Sequence, residues 1–391
     1  MVPLRFSSRS TFDLSPNPLA TALAAARVGP LPVFDLTESN PTRAGIPYDA
    51  GALARALSSG ENLRYEPAPF GHPAARGAVA RELARSGVDV DASRLVLTAS
   101  TSEAYAFLFK LLCDEGDEVL VPRPSYPLFE HLARLESVRA KLYSTSYDGA
   151  WHIDVDSLRR AVSPRTRAIM TVSPNNPTGS FLKRAELDAI ASIGLPIVSD
   201  EVFASYPLRT DAARATTVLE AAAAPLVFSL GGLSKLAALP QMKLAWTAVG
   251  GDGAHVSAAL ARLEVIADAF LSVGTPVQNA AALLFDAARP AADAIRSRTA
   301  ANLAWLSAAC AGSAVTRLDV EGGWYATLQL PNTRSEDDWT LGLVADERVY
   351  VHPGHFFDFE REPFVVLSLL TAEPIFREGT TRLLRYVDRT A

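Results

Sequence analysis

Between residues 94 and 250, short β-rich runs alternate with helical stretches, and this alternation leaves the chain few architectures. The runs are Arg94–Thr98, Glu118–Val121, Ala168–Val172, Pro196–Ser199, Leu226–Leu230 and Leu244–Val249. Several are apolar throughout rather than alternating, as strands covered on both faces by helices must be. After the first run, Ala104, Phe107, Leu108, Leu111 and Leu112 repeat with a 3.6-residue period, so a helix leaves that strand. The pattern predicts an α/β fold, a mostly parallel sheet with right-handed crossovers, and a ligand site at the carboxyl ends of the strands.

The C-terminal third reads differently. A helical stretch from about 276 to 311 leads into a strand over Gly322–Leu328, a polar helix, and a strand pair at Val349–Val351 and Phe364–Leu370. This predicts a smaller α+β domain formed by residues 1–45 and 286–391, beside a large domain over 46–285. The net charge of −6 argues against a nucleic-acid scaffold held by phosphate contacts. No apolar run reaches the roughly 18 residues that span a bilayer. Leu19–Ala26 resembles a short export signal, but Asp13, Pro16 and Pro18 before it and Arg27 after it favour an amphipathic surface helix. Two cysteines, Cys113 and Cys310, fit a reducing compartment better than a disulfide framework, so a cytoplasmic location is expected.

Chemistry-bearing residues gather at the strand ends. Thr98 to Glu103 (TASTSE) opens a helix, where Ser100 and Thr101 serve either as caps or as part of a phosphate cradle. Ser173 to Gly179 (SPNNPTG) is a tight loop whose prolines hold the Asn176 amide at one orientation. Asp200, at the end of an apolar strand, is either an N-cap or ion-pair partner, or a carboxylate that keeps a cationic ligand atom charged. Ser234 and Lys235 follow the run Leu226–Leu230. A lysine there is either a snorkelling surface residue or a desolvated amine nucleophilic toward carbonyls.

In this order, these residues resemble the class I/II aminotransferase branch of the fold-type I pyridoxal-phosphate enzymes, the aspartate aminotransferase-like group. The resemblance runs through Tyr65–Gly71 (YEPAPFG), Ser100-Thr101, Gly116–Pro122 with Ser125-Tyr126-Pro127, Asn176–Gly179, Asp200-Glu201-Val202 and Ser234-Lys235. It implies pyridoxal 5'-phosphate bound through a Schiff base on Lys235, whose freed amine then shuttles a proton. Asp200 would pair with the pyridine nitrogen, Asn176 would donate to the phenolic oxygen, and Tyr126 would stack on the ring. Ser100, Thr101 and Ser234 would hold the phosphate, with Lys243 as counter-charge. Tyr65 would reach the phosphate of a neighbouring subunit, which implies a homodimer with shared active sites.

The implied reaction is ping-pong exchange of an amino group between an amino acid and a 2-oxo acid. The same scaffold also supports a lyase, decarboxylase, cyclase or racemase acting on an amino acid. The chain departs from the family pattern at four places. Lys243 stands where an Arg is usual, Gln241 where a Gly is, and Phe203 where a Tyr is. The Arg that forks onto the substrate carboxylate aligns with Val366, so either another cation takes that role, with Arg43 and Arg377 as candidates, or the substrate lacks a free α-carboxylate in the usual place; Asn40, Arg43 and Arg377 are the expected substrate-binding residues. His352 and His355 fall short of a metal ligand set, so no metal is expected.

Overall fold

The computed structural model describes residues 4–361 and 363–391. Its large sheet has eight strands: β1 Leu95–Thr98, β2 Glu118–Arg123, β3 Arg139–Tyr147, β4 Trp151–Ile153, β5 Thr166–Val172, β6 Ile197–Asp200, β7 Leu226–Gly232 and β8 Ala245–Gly251. The spatial order is β1-β8-β7-β6-β5-β2-β3-β4. The contacts joining β7, β6, β5, β2 and β3 are parallel, while β8 runs antiparallel to both its neighbours and β4 to β3. All six runs read from the sequence are strands here.

Successive residues of the central strands feed opposite cores, as a period of two demands. Val119, Val121, Met170, Val198 and Phe228 pack under helices Thr101–Leu112 and Gly253–Asp268. Leu120, Ile169, Ile197 and Val227 pack on the other face with Leu158, Leu187 and Ile190. With both faces covered, the functional groups are left at the strand ends. The edge strands β3 and β4 were not legible in the sequence, because Arg139–Tyr147 (RAKLYSTSY) is half-exposed and has no apolar run.

A second sheet, in the order β9-β10-β12-β11, is antiparallel throughout. Its strands are β9 Thr316–Arg317, β10 Tyr325–Gln329, β11 His352–Pro353 and β12 Phe364–Ser368. One face buries Leu328, Val365 and Leu367 against Trp339, Phe376 and Leu383. Leu36, from the N-terminal segment, belongs to this core, and Phe34–Asp35 pairs in parallel with Val349–Tyr350. The stretch at Leu19–Ala26 is a helix, Pro18–Val28, capped by Asn17 and burying Leu19 and Leu23. No helix among the described residues is long and apolar enough to cross a membrane.

Candidate active site

β7 ends at Gly232 and the chain enters a single helical turn, Leu233–Leu236, that carries Lys235. Two tyrosines hold this turn and the residues just after it. Tyr206 donates its hydroxyl to the Lys235 carbonyl (2.7 Å) and Tyr48 to that of Ala238 (2.7 Å). The amine lies over the rings of Trp324 (4.9 Å to the centroid) and Phe203 (5.3 Å). Loss of solvation lowers its pKa to about 8, against the pull of the Asp200 carboxylate. Lys235 is therefore within reach of its neutral, nucleophilic form at ordinary pH.

Asp200 closes β6, the parallel neighbour of β7. Burial raises its carboxyl to about 6, opposed by the Val202 amide, the Tyr105 hydroxyl and the charge of Lys235. The amide donates to Oδ1 at 3.1 Å and Tyr105 to Oδ2 at 3.3 Å. A carboxylate this poorly solvated gains most from a cationic partner. Asn176 lies in the stiff loop after β5, is 7% exposed, and its Oδ1 has no hydrogen-bond partner.

Ser100 caps helix Thr101–Leu112, accepting from the Glu103 amide (3.2 Å), while Glu103 accepts from the Ala99 amide (2.7 Å). The cap reading of Ser100 holds, and it leaves the hydroxyl proton free to donate. Ser100, Thr101, Tyr126, Asn176, Asp200, Ser234 and Lys235 all line one cavity of about 510 Å³. An adjoining groove of about 600 Å³ shares Tyr126, Pro127 and Phe129 with it but contains neither Lys235 nor Asp200.

Five of the expected cofactor- and substrate-binding residues lie outside that lining. Tyr65 is 72% exposed. Lys243 is exposed, in a left-handed conformation with φ +53°. Asn40 is exposed and uses its side chain to close a turn, accepting from the amide and hydroxyl of Thr42. Arg43 is exposed beside it. Arg377 is ion-paired with Glu373 (2.9 Å) one turn away on an exposed helix face. Val366 is fully buried in β12, opposite Thr327 and His352. Several lining residues carried no local signal. Tyr105 sits on the sheet-facing side of its helix, and Ser39, Tyr325, His352, Phe356 and Phe357 arrive from segments far apart in the chain. His352 packs among aromatic rings, and His355 turns to Glu336 instead.

Residues 32–373 match the family described as aminotransferase class I and II. The chain belongs to that family. It is similar to nicotianamine aminotransferase B of Hordeum vulgare, 32% identical over 233 residues that cover 56% of this chain and 41% of that protein. It is also similar to glutamate-pyruvate aminotransferase AlaA of Escherichia coli strain K12, 30% identical over 201 residues (50% of this chain, 49% of that one). The chain thus spans about half the length, or less, of these curated relatives. Among solved structures, alanine aminotransferase from Pyrococcus furiosus superposes with a TM-score of 0.85 at 22% identity, covering 98% of this chain and 100% of that one. N-Succinyldiaminopimelate aminotransferase from Mycobacterium tuberculosis does so with 0.78 at 25% identity, covering 94% and 96%. These likenesses give the fold-type I architecture that the resemblance implied.

Proposed function

We propose that the chain is a pyridoxal-phosphate-dependent aminotransferase that moves an amino group between an amino acid and a 2-oxo acid. One observation supports this above the others: a desolvated lysine and a buried carboxylate end adjacent parallel strands and line the same cavity. The residues fit the cofactor. The buried Asn176 side-chain amide lines the cavity, the helix start at Thr101 presents free amides, and Asp200 lacks a full counter-charge. When bound, the cofactor supplies an electron sink for the carbon that carries the amine.

In this reading Lys235 Nζ would hold the cofactor covalently and, once free, would carry a proton to and from the reacting carbon. Asp200 would keep the ring nitrogen protonated, with Tyr105 fixing the rotation of that carboxylate. Asn176 and Tyr126 would hold the ring, and the Ser100, Thr101 and Ser234 hydroxyls, with the helix-start amides, would take the phosphate. The assignments of Lys243 and of Tyr65 to phosphate rest on the family resemblance. For Tyr65, its exposure together with that of Leu63, Val265, Phe270 and Leu283 supports a homodimer, to be checked by light scattering. The division into residues 46–285 and the two terminal segments, and a cytoplasmic location, belong to the same proposal; the free thiols of Cys113 and Cys310 accord with the latter.

The test is spectroscopic. After reconstitution the full chain should absorb in the visible, and an amino acid added without any oxo acid should convert that band. Lys235→Ala should remove the starting band. An unchanged spectrum in that variant would show that the cofactor is held elsewhere.

A further inference from the structure

One wall of the cavity has no task in the mechanism above. Across from the large sheet, the small sheet presents Tyr325 and His352, with Phe356 and Phe357 beside them. Once Lys235 and Asp200 are given to the cofactor, no Arg, Lys, Asp or Glu remains among the described lining residues. A substrate carboxylate buried there without a counter-charge is strongly disfavoured. His352 is the remaining lining side chain that can become a cation.

Its placement is specific. In β11 it stands directly opposite Val366 of β12, and Val366 stands opposite Thr327 of β10, so the three form a row across one face of the sheet. Tyr325, two residues along β10, shares that face. The rings of Tyr350, Phe357 and Phe356 surround the imidazole at 5.8, 5.9 and 6.0 Å between centroids and fix its orientation. Even so, Nδ1 is buried without a hydrogen-bond partner.

We propose that His352 is the specificity-determining residue that binds the substrate carboxylate, the role Val366 has no side chain to fill. This rests on the aminotransferase reading. Burial holds the imidazole below its ordinary range, and the Asp35 carboxylate pulls the other way. The other titratable groups on elements packed against it are Tyr325, Tyr350 and His355, the last held by Glu336 (3.2 Å). A carboxylate arriving beside the neutral ring therefore brings a proton with it. Carboxylate binding should strengthen as the pH falls, whereas a guanidinium would stay charged throughout.

The probe is 3-phenylpropionate, which has a carboxylate and an aromatic body but no amine to transfer. Its binding to the full chain reconstituted with pyridoxal phosphate is measured calorimetrically in two buffers of different ionisation heat. Wild type should take up about one proton per probe bound, and its affinity should fall by up to about tenfold per pH unit above neutrality. His352→Gln keeps a hydrogen-bonding side chain that cannot charge, and should lose about tenfold in affinity together with the proton uptake. Its affinity for 2-phenylethylamine, which has no carboxylate, should stay within about twofold of wild type. Wild-type binding without proton uptake, or a His352→Gln chain that retains both affinity and uptake, overturns the proposal. Proton-linked binding in a chain whose spectrum responds to no amino acid would instead sink the aminotransferase reading and leave the role of His352 standing.

Discussion

Asp200 is held in a state that the unbound protein does not favour. Its folded pKa is raised from 3.8 to about 6, so the unfolded chain ionises first as the pH climbs. The sign follows from linkage: the group's stabilising share is present below about pH 4 and is lost as the pH passes 6. Cofactor-free Asp200→Asn should therefore be more stable than wild type at pH 8, by about 2 kcal/mol, and little different at pH 4, as read by urea unfolding. The same variant should lose most of its turnover while still taking up pyridoxal phosphate. Near-normal turnover would contradict the pyridinium role. Lys235, Asp200 and Asn176 were legible as candidates because each lies at, or a few residues past, the end of an apolar run. Tyr105 and His352 were not, since their positions depend on which helix face or which strand partner they meet.

Helix Thr101–Leu112 does two jobs with one terminus. The Ser100 hydroxyl accepts from the Glu103 amide and the Glu103 carboxylate from the Ala99 amide, and Glu103 also accepts from the Ser272 hydroxyl (2.6 Å), which ties the helix start to a distant loop. Ser100→Ala should lower stability by about 1 kcal/mol in thermal unfolding. It should also weaken pyridoxal-phosphate affinity, a loss that a pure cap would not produce. The next residue after Asp200 shows how a strand end is held. The Glu201 carboxylate accepts from Ser229 (2.6 Å), Thr217 (2.8 Å) and the Val218 amide (2.7 Å). Glu201→Ala would strand those donors and should cost about 3 kcal/mol, measurable by denaturant titration. The central elements were readable from hydrophobic runs, whereas the edge strands β3 and β4 depend on pairing with a neighbour and leave no such trace.

The two sheets meet at a seam built from backbone. Pro207 bridges to Gly322, the Leu208 amide donates to the Glu321 carbonyl (2.9 Å), and Gly323 donates to the Tyr206 carbonyl (2.9 Å). The buried Glu321 carboxylate adds Lys183 (2.7 Å) and Arg209 (2.9 Å) to the joint. A Cβ at Gly322 would overlap the Phe181 ring and lie 2.9 Å from the Tyr206 oxygen; one at Gly179, where φ is +72°, would lie 2.6 Å from the Gly322 oxygen. Gly322→Ala should therefore destabilise the chain by about 2–3 kcal/mol in denaturant and lower catalysis along with stability. None of this seam was visible in the sequence, where Gly322 read as the start of a strand and Gly179 as part of a tight loop; the strand itself begins only at Tyr325. Main chain meets main chain at this joint, braced by the Glu321 ion pairs, and the Gly322 carbonyl packs against Gly179, so the approach to the small sheet and the loop that holds Asn176 share one close contact.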